Sequence, residues 1–271
     1  MALNNTDVWT REGAYGLPGD PTALAGWRGP ITFPRIQGAD IAGRVCATGR
    51  GGDESLLGRR VLIDPALYDD EGEDANPIGL LGSERDGGYA QYVVAAADRV
   101  HLVEGTPLTD EQLACLPTAY GTALGMMERG RVHADETVVV TGASGGVGLA
   151  LVQLAAARGT RTIAVTSTAK VDQVASAGAD HVVDRAGDVW EQVGRIAPEG
   201  VDAVLDVVAG PGLATGVPTV RRRPLGRRGR PRRVRRGPGH PSAVPAQHRP
   251  DRVEHAHARA LPDACRGRPS W

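Results

Sequence analysis

Apolar positions along the chain follow two patterns that meet near residue 115. Before that point, short runs rich in β-formers (Ile41–Ala47, Arg60–Ile63 and Tyr89–Ala95) are cut by glycine and proline. Runs of this kind predict a small, partly closed β-barrel. Leu113–Arg129 has apolar spacing compatible with a helix. A regular alternation follows. Thr137–Thr141, Thr162–Thr166, His181–Asp184 and Asp202–Val208 read as strands; Gly146–Arg158, Ala169–Ala177 and Asp188–Ile196 read as helices. Short β-branched strands alternating with helices predict a parallel sheet covered on both faces. The expected fold class is therefore α/β, with a barrel domain over 1–115 and an incomplete Rossmann-type parallel-sheet domain over 116–214. The remainder, 215–271, has neither helical nor strand period and few aliphatic residues, and reads as a disordered Arg-rich tail.

The strongest chemical signal is VVVTGASGGVGLALVQLA, Val138–Ala155. A buried strand runs into a glycine turn that opens directly onto a helix. Gly142 and Gly145 let the backbone turn tightly and approach a pyrophosphate, and Gly148 allows close helix–strand contact. Ala143, Ser144, Gly146 and Val147 complete the turn, whose helix N-terminus offers free N–H groups and a positive dipole end. Dinucleotide binding is the reading, with a purely structural turn as the alternative. The second strand ends in Thr166-Ser167-Thr168-Ala169-Lys170, where an NAD-type site would carry an acidic residue for the ribose 2′-OH. Hydroxyls and one cation suit a 2′-phosphate, so Thr166, Ser167 and Lys170 point to NADPH over NADH. A helix cap at Ser167 or Thr168 beside a solvated Lys170 is the alternative.

Composition adds little except in the charge. The net charge is -1, yet the segment from Val217 onward holds fifteen arginines against Asp251, Glu254 and Asp263. Lys170 is the single lysine, an arginine bias that fits a GC-rich coding sequence. Cys46, Cys115 and Cys265 are odd in number and widely spaced, which argues against a disulfide framework or a zinc cluster. No apolar run reaches a membrane span and no signal-peptide pattern opens the chain, so a cytoplasmic location without membrane partners is expected. Nucleic-acid binding through the tail is a competing reading, weakened by the lack of aromatic interleaving.

With these motifs in place, the sequence resembles the medium-chain dehydrogenase/reductase superfamily, nearest its zinc-lacking quinone-oxidoreductase and alcohol-dehydrogenase-like branches. The resemblance covers roughly residues 3 to 210 and rests on NNTDVWTREGAY (Asn4–Tyr15), QGADIAGRV (Gln37–Val45), GRRVLIDP (Gly58–Pro65), GGYAQYVVAAADRV (Gly87–Val100), LPTAYGTAL (Leu116–Leu124), the glycine turn and SAGADHVVD (Ser176–Asp184). It implies a GroES-like barrel, a Rossmann-type domain, and hydride transfer from NADPH to a small carbonyl, enone or quinone substrate. It also implies which positions would bind zinc in metal-using relatives. Those positions carry Asn4, Ala39 within Gly38-Ala39-Asp40, and Thr118, and the loop from Asp64 to Gly82 has no cysteine, so no zinc is expected. By the same resemblance Asn4 is a candidate oxyanion donor and Tyr15 a candidate catalytic residue, since Trp9 stands where a tyrosine is often found. A turn-forming role is the other reading of Asn4. Asp40 reads as an organiser of its neighbours rather than an acid–base group. Thr118, Tyr120 and Thr122 are candidates for contact with nicotinamide or substrate, with core packing as the alternative. Relatives often dimerise through the last strands of the cofactor domain, so a homodimer is open.

Two departures from the family pattern are expected to matter. The chain starts almost on the Asn4 motif, where relatives carry opening barrel strands, and reads as truncated there. A reading-frame shift is expected between about Leu213 and Val220, because Val244–Arg259 read one nucleotide out of frame can resemble the family's continuation. A cofactor-binding protein without turnover is therefore the second functional reading.

Overall fold

In the computed structural model, residues 2–13, 31–69, 77–208 and 220 are described. The chain opens on helix α1 (Asn5–Arg11), whose first turn is closed by the Asp7 carboxylate accepting the Asn4 N–H at 2.8 Å. The antiparallel part follows. Strands β1 (Ala42–Arg44), β2 (Arg60–Ile63) and β5 (Val100–Leu102) form one sheet in the order β1-β2-β5, with Ala42 opposite Leu62 and Val61 opposite Leu102. Strands β3 (Ala66–Tyr68) and β4 (Pro77–Leu80) pair as a second sheet. Ile41, Val61, Ile63 and Leu81 form the buried centre of this part.

The third expected strand, Tyr89–Ala95, is not formed. The amides of Gly87, Gly88 and Tyr89 donate instead to the carbonyls of Ile36, Gly38 and Gln37, and the chain runs on without a ladder partner among the described residues. Its β-like pattern is real, since Val93 and Ala95 still turn toward the barrel core while Val94 is exposed. Alternation fixes which side faces in; it does not supply the neighbour that makes a strand.

The helix expected over Leu113–Arg129 is two helices. Helix α2 (Asp110–Ala114) is boxed by Thr109 and Gln112, and helix α3 (Pro117–Gly130) begins afresh with Pro117 in its first turn. Proline has no N–H to continue the earlier helix and a φ suited to starting the next one.

Strands β6 (Thr137–Val140), β7 (Arg161–Thr166), β8 (His181–Asp184) and β9 (Ala203–Leu205) form a parallel sheet in the order β8-β7-β6-β9. Helices α4 (Gly146–Arg158), α5 (Val171–Ser176) and α6 (Val189–Ile196) connect them. Alternate residues of β6 serve the two sheet faces. Val138 and Val140 pack with Met127, Leu151 and Val174, while Val139 packs with Ile163, Val183 and Val193. All three valines are fully buried, each worth about 1.5–3 kcal/mol relative to exposure. This two-sided burial is why the run reads as continuously apolar. Val220, beyond the domain boundary expected at 214, bridges to Val201 in parallel beside β9. None of the described helices is long and apolar enough to cross a membrane.

Candidate functional site

Strand β6 ends by delivering the chain into the glycine turn. Gly142 has φ +58, a left-handed conformation that favours glycine, and a Cβ there would come within 2.9–3.0 Å of Val207 and Val208. The Ala143 N–H donates to the Val165 carbonyl at 3.1 Å, tying the turn to the neighbouring strand. Gly145 caps α4, and its N–H closes back on the Gly142 carbonyl at 3.0 Å. At Gly148 a Cβ would lie 2.2 Å from the Gly142 oxygen, so the first turn of α4 packs directly on backbone. The side chains of Ala143 and Val147 belong to the core, and these positions offer the site only their amides. In the first turn of a helix the amides of Gly146, Val147 and Gly148 have no intrahelical acceptor, and the dipole adds positive potential. The turn is one in which an added Cβ at Gly142 or Gly148 meets protein atoms, and its free first-turn amides form a cradle of the kind that holds a phosphate group.

Beside the turn lies a cavity of about 450 Å³ whose wall includes Gly142, Ser144, Thr166, Ser167, Arg185 and Trp190. It opens at the carboxyl ends of β6, β7 and β8, the place where open parallel sheets bind ligands. The Thr166 side chain is buried and its Oγ1 has no hydrogen-bond partner. Residues 166–170, at and just past the end of β7, include no acidic residue, while the Asp184 carboxylate at the end of β8 accepts the Thr168 hydroxyl. Lys170 lies at the end of a 3₁₀ turn, Thr168–Lys170, exposed and outside the cavity wall. Across the turn, the Thr141 hydroxyl donates to Asp206 after β9, and the Thr141 N–H donates to the Leu205 carbonyl at 3.2 Å.

A second cluster joins the antiparallel part to α3. Asp40, 1 % exposed, accepts the Asn4 amide Nδ2 at 2.9 Å on one oxygen and the Thr118 backbone N–H at 2.7 Å on the other. One carboxylate thus ties together three segments distant in sequence, at the N-terminal end of α3 where the dipole also favours it. The Thr118 Oγ1 is buried and without a partner. The Tyr89 hydroxyl donates to the Ala2 carbonyl at 3.1 Å. Burial, helped by the charges of Asp7 and Asp40, holds this phenol well above the usual tyrosine range.

The structure therefore brings Asn4, Asp40 and Thr118 into one cluster, and Ser144, Thr166 and Ser167 into the wall of another around the glycines. Thr122 is exposed and outside the cavity wall; Tyr120 packs against the sheet core and its hydroxyl donates to Gln153. Tyr15 lies outside the described residues, as does the tail over 221–271. Trp9, on α1, is 49 % exposed. The Asn4–Asp40–Thr118 donors do not fit a zinc ion. They comprise an amide, a carboxylate already holding two N–H groups, and a hydroxyl, with Ala39 buried beside them. No group of three His, Cys, Asp or Glu side chains converges among the described residues. Arg185 and Trp190 are wall residues that the sequence reading misses. The available signal was their place just after β8 and at the start of α6, beside the strand end already singled out.

Comparison with known proteins agrees with this architecture. The model of the "Alcohol dehydrogenase GroES-like domain" matches residues 1–105, and that of the "Zinc-binding dehydrogenase" domain matches residues 146–225. A crystal structure of a putative alcohol dehydrogenase from Sinorhizobium meliloti 1021 superposes with a TM-score of 0.72 at 45% identity, covering 81% of this chain and 62% of its own. The synaptic vesicle membrane protein VAT-1 homolog of Danio rerio is 30% identical over 77% of this chain and 37% of its own length. The quinone oxidoreductase of Sus scrofa is 26% identical over 78% of this chain and 56% of its own. The chain thus spans less than two thirds of the length of each of these relatives. With a GroES-like part followed by a Rossmann-type sheet and its glycine turn, the chain belongs to the medium-chain dehydrogenase/reductase superfamily.

Proposed function

We propose that this chain is a zinc-independent oxidoreductase that uses NADPH to reduce a small carbonyl, enone or quinone acceptor. The observation that carries the reading is the cradle formed by Gly142–Gly148 beside a cavity lined by Thr166 and Ser167, where β7 runs out into a segment with no acidic residue of its own. An acidic residue there would bind the ribose 2′-OH of NADH and repel a 2′-phosphate. A bound nicotinamide supplies the hydride. The protein's part is to hold the pyrophosphate on the first-turn amides of α4 and to polarise the acceptor. Asn4 suits the second of these roles. One hydrogen of its Nδ2 goes to Asp40, which fixes the amide plane, and the other is a donor for the developing oxyanion. The lack of fit for zinc at Asn4, Asp40 and Thr118 supports polarisation by this amide rather than by a metal, and no general acid is assigned.

A second reading is an NADP(H)-binding protein without turnover, favoured by Trp9 in place of the tyrosine. Titration of the purified chain with NADPH and NADH, followed through quenching of Trp190 in the cavity wall, tests the cofactor. Saturable binding with NADPH preferred is expected, and an NADH preference removes the reading. A panel of enones, quinones and aldehydes then separates the two functions. Acceptor-dependent NADPH oxidation that persists in a metal chelator supports the enzyme; binding without oxidation of any acceptor supports the second reading.

A further inference from the structure

We propose that Arg185, rather than Lys170, is the cation that selects the 2′-phosphate of the cofactor. This inference rests on the NADPH reading above. In the sheet order β8-β7-β6-β9, the strand delivering the glycine turn is followed by β7 and then by β8. A cofactor whose pyrophosphate lies at Gly142–Gly148 places its adenosine ribose at the end of the next strand, β7. The group beyond the ribose 2′ position then faces the end of β8.

That end is where Arg185 stands. Thr166 and Asp184 are opposite each other in the parallel register, and the Arg185 N–H donates to the Thr166 carbonyl at 2.8 Å. Arg185 is thus the first residue past β8, alongside Ser167 past β7, and both line the cavity. Lys170 is nearer to Ser167 in sequence, but the Thr168–Lys170 turn carries it out of the wall.

The cavity wall carries two acidic residues and one cation, so Arg185 is the one side chain of the wall whose charge can attract a phosphate. The two acidic residues are engaged: Asp188 caps α6 by accepting the Glu191 N–H at 2.9 Å, and Asp206 holds the Thr141 hydroxyl. Asp184, next to Arg185, accepts the Thr168 hydroxyl and the Ala186 N–H. Arg185 is the single cationic residue of the wall and forms no ion pair among the described residues. A planar guanidinium presents paired donors to a phosphate, which a single ammonium does not. NADH has no group for it to hold.

The test is titration of the parent chain and of Arg185→Gln, Arg185→Lys and Lys170→Gln with NADPH and with NADH. Arg185 is exposed, so its replacement leaves the core untouched. Arg185→Gln is expected to weaken NADPH by about tenfold or more while leaving NADH within about twofold, with Arg185→Lys restoring part of the loss. The preference should also shrink with added salt in the parent and much less in Arg185→Gln. Against an NADPH-preferring parent, an unchanged NADPH affinity in Arg185→Gln overturns this inference alone. So does an equal loss for both cofactors, which marks a structural role, or a selective loss on Lys170→Gln. A parent that binds neither cofactor, or prefers NADH, overturns the cofactor reading and this inference together.

Discussion

The glycine cradle and the Asn4–Asp40–Thr118 cluster hold their functional groups by opposite means. The cradle is built from backbone: amides of one helix turn, a left-handed glycine, and contacts so close that the missing Cβ is the essential feature. The cluster is built from one side chain, since both oxygens of Asp40 reach segments 36 and 78 residues away. The first arrangement tolerates a change of side chain wherever there is a Cβ already, and fails when one is added. The second fails when a single carboxylate is removed. Backbone sites are therefore sensitive to size, and this side-chain site to chemistry.

Several changes would break or sharpen that contrast. The largest effect is expected at Gly148→Val, which forces atoms into the Gly142 carbonyl. Overpacking of this kind costs about 3 kcal/mol or more, and urea denaturation together with lost NADPH binding would register it. An unchanged midpoint would mean that the turn can open to admit a side chain. Asp40→Ala comes next, because it leaves the Thr118 N–H and the Asn4 amide without their acceptor. About 2–3 kcal/mol is expected from the buried unpaired donors, read in the same denaturation experiment. Asp40→Asn should lose less, since an amide oxygen still serves one of the two donors.

Thr166→Val and Thr118→Val are expected to act in the other direction. Each removes a buried hydroxyl oxygen that has no partner, so stability should hold or rise by about 0.5–1 kcal/mol. If Thr166 serves the cofactor, its variant gains stability while NADPH binds more weakly; a gain in both would remove Thr166 from the site. An effect that depends on pH concerns Tyr89. Its phenol is held protonated by burial and nearby carboxylates, so its pKa is higher folded than unfolded. This contribution is present at neutral pH and is lost as pH rises above about 10, where the unfolded chain's tyrosine ionises first. Tyr89→Phe should cost about 1 kcal/mol at neutral pH through the lost bond to Ala2. That difference should shrink above about pH 10 in denaturation curves.

How much of this was readable in the residues follows from the range of the forces involved. The glycine turn is legible because its constraints are local: a run buried on both faces, four glycines, and a small-residue helix, all within Val138–Ala155. The expected bounds of α4 and β8 match the observed ones for the same reason. Arg185 is not legible in this way, because its role depends on β8 lying beside β7. Nothing in His181–Arg185 alone says which strand end it will face. Tyr89–Ala95 shows the converse, a sound local pattern lacking the long-range partner a strand needs. At Pro117 a local signal was outweighed by apolar spacing that runs through both helices. The cluster around Asp40 is intermediate. Its members can be suspected from the family motifs, but which atom bonds which emerges only once α1, the GADIAG segment and α3 meet.

The fastening between β6 and β9 has a mechanical consequence. Thr141 reaches across the strand ends three times, through its N–H to Leu205, its hydroxyl to Asp206, and as acceptor from the Val207 N–H at 3.2 Å. Further along the same path, Val207 and Val208 flank Gly142, where a Cβ would come within 2.9–3.0 Å of them. Asp206–Val208 is thus a short segment fastened at Thr141 and lying against the glycine turn. The packing beside Gly142 therefore depends on the join between β6 and β9, and not on β6 alone.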